Sequence, residues 1–201
     1  MNPHFFYNAL NTIQSFILSN DEKQAVNYLS KCSNLTRTIL EMSEKESISI
    51  ADEEKTLNLY LDIEQGRFED DFSYKIQVDD AIDKENIKIP TMLLQPYVEN
   101  AVKHGLKHKQ GSKKISIHFQ KEDNYISISI DDNGIGRQKS AELNAVKNKN
   151  RTSFATRAIE NRVDLLNQYK YKNISIQYLD KTNLSNQAVA TAIVFEIPIS
   201  Y

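Results

Sequence analysis

The residues best suited to chemistry lie around Asp132. In the stretch before it, Ile126, Ile128 and Ile130 alternate with Ser127, Ser129 and Asp131. The two-residue period of a strand puts Asp132 on the apolar side. A carboxylate ending a core-facing row is costly unless a donor reaches it, and an amino group on a bound ligand is one such donor. Asn133-Gly134-Ile135-Gly136 follows, and its glycines permit positive φ and close backbone approach to a ligand. The same residues also suit an ordinary turn leaving a strand. On this segment alone both readings stand.

A second group is Glu99-Asn100-Ala101-Val102-Lys103-His104-Gly105. On a helix Asn100 and His104 share one face, and Glu99 and Lys103 share another. An Asn carbonyl oxygen is a hard ligand suited to Mg²⁺ that keeps most of its waters and meets phosphates. Lys103 could act as a point charge for those phosphates. A solvated helix face with a Glu99–Lys103 pair explains the same residues. The third candidate is His4. Phe6, Leu10, Ile13 and Ile17 form an apolar stripe, with His4, Asn8, Asn11 and Ser15 roughly opposite, so His4 is expected to be exposed. An exposed imidazole suits a phosphoryl acceptor and is equally an ordinary surface histidine.

The elements that must position these groups change character near residue 70. Helices are expected over 2–20, 21–43 and 49–68, with Pro3 in the first helical turn and Ser49-Ile50-Ala51-Asp52 as a capping box. Val26, Leu29, Ile39 and Met42 are expected to face inward on the second helix. Two helices on so short a link form an antiparallel hairpin with one apolar face left over. A second copy would cover it, making a four-helix bundle dimer. Thereafter the order reads β, α, β, β, α, β, β, with strands over 72–78, 114–119, 125–131, 174–179 and 189–197, and helices over 90–104 and 154–169. Gly105 would close the first of these helices, and Pro96 implies a kink or a later start. A polar loop, with a short helix at 139–146, lies between them. The fold class is α+β: a helical hairpin, then an α/β sandwich with a mixed sheet covered by helices on one face. Residues 1–69 and 70–201 form the two expected domains.

Composition narrows the function. Hydrophobic residues make up 40% and charged residues 26% of the 201. The net charge of −2 and a pI near 6.1 give no global basic excess for nucleic acid. The basic run from Lys103 to Lys114 lacks interleaved aromatics. Cys32 is the single cysteine, so no disulfide framework or cysteine zinc site exists, and it is expected to pack as a small residue. His108 and His118 form no ligand cluster, and no P-loop motif is present. No run approaches the roughly 18 apolar residues of a membrane span. The abrupt opening at Met1-Asn2-Pro3-His4 suggests a fragment of a longer parent, truncated on its N-terminal side.

Taken jointly, these pieces resemble one family. Asn2-Pro3-His4-Phe5-Phe6-Tyr7-Asn8 is similar to the Asn-Pro-His-Phe signature of the LytS-like sensor histidine kinases. Leu59 to Phe68 resembles the segment after their hairpin, Pro90 to Gly105 their N box, and Asp132 to Gly136 their first glycine box. The resemblance implies the ATP-binding fold shared by gyrase, the heat-shock 90 chaperones, histidine kinases and MutL. It implies ATP and Mg²⁺ as cofactors, with Asp132 receiving the adenine amino group and Asn100 coordinating Mg²⁺. Lys103 and His104 would lie near the phosphates, and Gly134 and Gly136 would let a lid close. His4 would accept the γ-phosphoryl group and pass it to a response-regulator aspartate. The implied partners are a second copy of the chain and a receiver domain. The implied location is the cytoplasmic portion of a parent anchored in the bacterial inner membrane. The second glycine box departs from the family: Arg151, Ser153 and Ala155 stand at its glycine positions. Ser153 could cap the next helix and, with Thr156 and Arg157, cradle phosphate. That departure keeps open a nucleotide-binding scaffold without kinase activity. A serine kinase resembling the anti-sigma factors would share the fold but not the Asn-Pro-His-Phe hairpin.

Overall fold

The structure is a computed structural model that describes residues 3–68, 71–147, 163–168, 173–182 and 188–199. Helices α1 (Pro3–Leu18) and α2 (Glu22–Ser43) form the expected hairpin. The Asp21 carboxylate caps α2 by accepting the Gln24 N–H at 3.0 Å. The inward face of α1 is rotated from the one expected. Phe5 meets Tyr60 with ring centroids 5.8 Å apart, and Phe16 meets Tyr28 at 5.9 Å. Of the expected stripe only Ile13 packs against the core, while Phe6, Leu10 and Ile17 are exposed. On α2, Ile39 and Met42 are buried as expected, but Val26 and Leu29 are outside. The physical reason is that α1 is apolar on two faces. The face with aromatic partners in its own chain turns inward, and the other is left to the surface.

The chain then enters a short strand, β1 (Ser47–Ser49), and α3 (Ile50–Phe68). Ser49 caps α3 as its sequence suggests, its hydroxyl oxygen accepting the Asp52 N–H at 3.1 Å. After β2 (Phe72–Val78), strand β3 (Lys88–Pro90) returns to pair antiparallel with β1, with Ile48 opposite Ile89. Strands of three residues carry no periodic signal, so this ribbon has no counterpart in the sequence reading. Thr91 donates both its N–H and its hydroxyl to the α2–β1 junction, to Glu46 O at 3.2 Å and Lys45 O at 2.8 Å.

Pro90 ends β3, so the helix expected from 90 starts later, at α4 (Gln95–Asn100), with Pro96 in its first turn. There the missing N–H of proline leaves no intrahelical bond unmade. The N-cap position, Leu94, has no side chain able to cap. Glu53 of α3 supplies the acceptor instead, its Oε1 taking the Leu94 N–H at 3.3 Å. Glu53 is 2% exposed, so this bond and the positive end of the helix help to offset its burial. The helix widens into a π-helical turn, Ala101–Leu106. Then come β4 (Lys113–Lys121), β5 (Tyr125–Asp132), α5 (Arg137–Lys147), a short helix α6 over 163–168, β6 (Ser175–Thr182) and β7 (Ala188–Pro198). The expected helix over 154–169 lies partly outside the described residues.

The main sheet has the order β2-β4-β5-β7-β6, parallel between β2 and β4 and antiparallel elsewhere. One face is the core: Ile115, Ile117 and Phe119, then Ile126, Ile128 and Ile130, then Ile193, Phe195 and Ile197. The α4 helix lies on that face. The Tyr97 ring meets the Phe195 ring edge-on, with centroids 4.8 Å apart, and both are buried. That contact fixes the height of the helix over the sheet. Phe195→Ala is expected to cost about 3–5 kcal/mol in a urea unfolding series. A loss below about 1 kcal/mol would show that the helix is held by other contacts.

Candidate functional site

The period of two holds, and Asp132 ends the inward row of β5 at 8% exposure. Its surroundings are set by two glycines. A Cβ on Gly105 would lie 2.7 Å from Asp132 Oδ1, and one on Gly134 would lie 2.5 Å from that oxygen and 2.5 Å from the Gly105 backbone. The end of the α4–π helix and the loop after β5 therefore pack backbone to backbone with the carboxylate between them. Gly105 was expected to close its helix. Instead it sits within the π turn, and the glycines with positive φ are Gly111 and Gly136. Close approach, not helix termination, requires glycine at 105. Gly136 does take the positive φ expected of this loop, at +78°.

Hydrogen bonds lock this arrangement. Gly134 N–H donates to Asp132 Oδ1 at 2.8 Å, and Ile135 N–H donates to Gly105 O at 3.1 Å. Asn133 clamps the end of β5 to the start of β4: its Oδ1 accepts the Lys114 N–H at 2.8 Å and its Nδ2 donates to Ser112 O at 3.1 Å. An ionised carboxylate can accept about four hydrogen bonds, so Asp132 retains capacity for a ligand. Burial raises its pKa to about 6, against the lowering influence of the Gly134 amide; Asp131 adds to the rise, and Lys181 and Lys109 oppose it.

Directly beside Asp132 in the register is Thr191 of β7, 6% exposed. It begins the same inward row as Ile193, Phe195 and Ile197, and supplies a second buried polar group beside the carboxylate. The sequence reading missed it, although a threonine in an otherwise apolar inward row was a visible signal. It also missed Arg137, which donates to Asp180 twice, Nε at 2.8 Å and Nη2 at 2.7 Å, and so ties α5 to β6. Two residues so distant in sequence give no local signal of pairing.

On the helix, Asn100 and Lys103 are half-buried. The expected Glu99–Lys103 pair is replaced. Glu99 accepts from Gln95 Nε2 at 2.9 Å, and Lys103 lies on the π turn, where the four-residue spacing of an α-helix no longer applies. Lys103 still bears on Glu99 electrostatically, a minor influence beside the burial that raises the Glu99 pKa. Burial, reinforced by Lys103, His108 and Lys107, pushes His104 down to about 4. It is thus neutral at physiological pH and can bond to a ligand without adding charge. Among the described residues no cluster of three or more His, Cys, Asp or Glu could hold a metal. A cation here would need ligands from a bound molecule beside the Asn100 carbonyl oxygen. His4 lies in the first turn of α1, and the expected exposure of its side chain lies outside what is described. Ser153, Thr156 and Arg157 lie outside the described residues.

Comparison with known proteins bears on both halves. A family model described as Histidine kinase matches residues 1–72. The chain is 33% identical over 136 residues to the sensor protein LytS of Staphylococcus epidermidis, a match covering 68% of this chain and 22% of that protein. It is 37% identical over 139 residues to the sensor histidine kinase BtsS of Escherichia coli K12, covering 66% of this chain and 23% of that protein. These matches span less than a quarter of the curated relatives' length. The fold is similar to the histidine kinase domain of the blue-light activated histidine kinase of Erythrobacter litoralis, at a TM-score of 0.54 and 12% identity over 98% of this chain and 96% of that one. It is also similar to the catalytic domain of the histidine kinase ThkA, at a TM-score of 0.52 and 11% identity over 77% and 97%.

The packing at Gly134 makes a direct prediction. Gly134→Ala forces a methyl against backbone and is expected to destabilise by about 1–3 kcal/mol. Gly136→Ala, strained by the positive φ of +78° at that position, should cost about 1 kcal/mol. Equal losses in paired denaturation curves would contradict the close approach at 134.

Proposed function

We propose, for a chain that belongs to the LytS-like family of sensor histidine kinases, that it is the ATP-dependent protein-histidine kinase core of a two-component system. In this reading residues 1–69 carry the phosphoacceptor and residues 70–201 bind Mg·ATP. The observation that carries it is the Asp132 carboxylate, buried between Gly105 and Gly134 with acceptor capacity to spare. A buried carboxylate beside Thr191 suits an exocyclic amino group and discriminates adenine from guanine, whose corresponding position is a carbonyl. Asn100 would hold Mg²⁺, which neutralises phosphate charge when bound. Lys103 would face the phosphates as a cation and His104 as a neutral group. Gly136 gives the following loop the freedom to fold over the nucleotide. His4 would accept the phosphoryl group, with catalysis resting on positioning and charge neutralisation, and a receiver-domain aspartate would take it in turn.

The surface supports a dimer. Phe6, Leu10, Ile17 and Leu18 of α1 and Val26, Leu29 and Leu40 of α2 are exposed apolar residues, and a second hairpin would cover them. Among the described residues no helix is long and apolar enough to cross a membrane. The reading places this part on the cytoplasmic side of an inner-membrane parent. A nucleotide-binding scaffold is the second reading, favoured by Arg151, Ser153 and Ala155 at the second glycine box.

Calorimetry with Mg·ATP and Mg·GTP tests the adenine pocket. ATP is expected to bind at least tenfold more tightly than GTP, and Asp132→Asn to weaken ATP by about tenfold or more, the worth of a charge-assisted bond. Binding of neither nucleotide at millimolar concentration would contradict the pocket. With γ-labelled ATP, His4→Gln is expected to lose acid-labile label while keeping nucleotide affinity. Retention of ATP binding with no label on the wild-type protein would establish the scaffold.

A further inference from the structure

The helix whose Gly105 packs on Asp132 has another side, and a cleft there contains Arg67. Phe5 and Asn8 of α1, Tyr60, Glu64 and Arg67 of α3, and Glu99, Val102, Lys103 and Lys107 line it. Position 4 lies one helical turn before Asn8, on the same face of α1. The cleft therefore joins the phosphoacceptor's face of the hairpin to the helix proposed to meet the phosphates. Glu64 is 4% exposed and its carboxylate pairs with the Arg67 guanidinium. Arg67 Nε is buried and makes no hydrogen bond, and the guanidinium lies 4.5 Å from the centre of the Phe68 ring.

We propose that Arg67 is a catalytic residue of the transfer to His4, leaving Glu64 to hold the phosphoryl group in transit. The proposal rests on the kinase reading above. In the step, a neutral ring nitrogen of His4 uses its lone pair to form a bond to the γ-phosphorus. The bond from that phosphorus to the bridging oxygen breaks, and its electron pair leaves with ADP. The proton left on the ring passes to solvent. Charge on the equatorial oxygens is what a planar guanidinium is suited to hold, through parallel N–H donors. Burial raises the Glu64 pKa, with Arg67 and Tyr60 opposing the rise. Lys103 and Lys107 add positive charge to the same cleft, and Glu99 adds a carboxyl.

The alternative is that Arg67 merely neutralises Glu64, and a double variant in the full-length protein separates the two. Arg67→Gln is expected to slow His4 labelling by about 10³-fold or more, the range of arginines that stabilise phosphoryl transfer, while the ATP dissociation constant changes less than twofold. Arg67→Lys should fall between. Glu64→Gln alone should be no slower than wild type, and Glu64→Gln with Arg67→Gln as slow as Arg67→Gln. Recovery of wild-type rate in the double variant would overturn the proposal, as would equal losses in rate and ATP affinity from Arg67→Gln. A second readout needs no kinase activity. A phosphoryl group is placed on His4 with potassium phosphoramidate, assigned against His4→Gln, and titrated by ³¹P NMR. Arg67→Gln should raise its titration midpoint, because a cation is lost; an unmoved midpoint would overturn the proposal. Failure of the wild type to label His4 from ATP would count against the kinase reading, and the ³¹P titration would still judge Arg67.

Discussion

The candidate site depends on one buried carboxylate and the lack of room around it. Asp132 ends an inward strand row at 8% exposure, where an uncompensated charge is among the most expensive things a fold can contain. The chain meets the cost by bringing amide backbone to it, and that is possible only because positions 105 and 134 have no side chain. Much of the surrounding structure serves this contact. The π turn brings Gly105 to the carboxylate, Ile135 bonds back to Gly105 O, and Asn133 fixes the strand end. Tyr97 on Phe195 sets the distance of the whole helix from the sheet. A carboxylate held this way is not fully satisfied, and its remaining acceptor capacity is the basis of the nucleotide reading.

Helix α3 and the α2–β1 junction are joined to this region by buried polar contacts as well as apolar ones. Glu53 caps the start of α4, Thr91 bonds to the α2–β1 junction, and β1 pairs with β3. A shift of α3 would therefore be transmitted to the first turn of α4, since a buried carboxylate cannot leave its donor without a penalty of about 1–3 kcal/mol or more. This link gives a movement of α3 a physical route to the site.

Some of this was readable in the residues and some was not. The period of two put Asp132 inward, the Ser49 cap started α3, and Gly134 and Gly136 were assigned the two properties a ligand loop needs. Each of these is a local rule, and local rules held. What failed depended on partners distant in sequence. Gly105 looked like a helix stop because its reason for being glycine lies at Asp132, across the fold. The stripe of Phe6, Leu10 and Ile17 looked inward because α1 is apolar on two faces, and periodicity alone does not say which face meets Tyr28 and Tyr60. Thr191 stood out as a threonine in an apolar row, but its place beside Asp132 needed β7 to be set against β5. Arg67 lay in a segment whose resemblance was noted but whose chemistry needed the cleft to appear.

The most direct test of the account is the ionisation of Asp132 itself, followed by carboxyl ¹³C NMR with and without ATP. The free protein should show a midpoint near 6, raised by burial. A carboxyl whose folded pKa lies above its unfolded value stabilises the fold below the unfolded pKa, and that contribution is lost as pH rises through about 6. An amino group donating to the ionised form favours that form, so bound ATP should lower the midpoint, and ATP affinity should weaken as pH falls through the same range. A midpoint near 4 in the free protein, unmoved by saturating ATP, would contradict both the buried site and its proposed ligand.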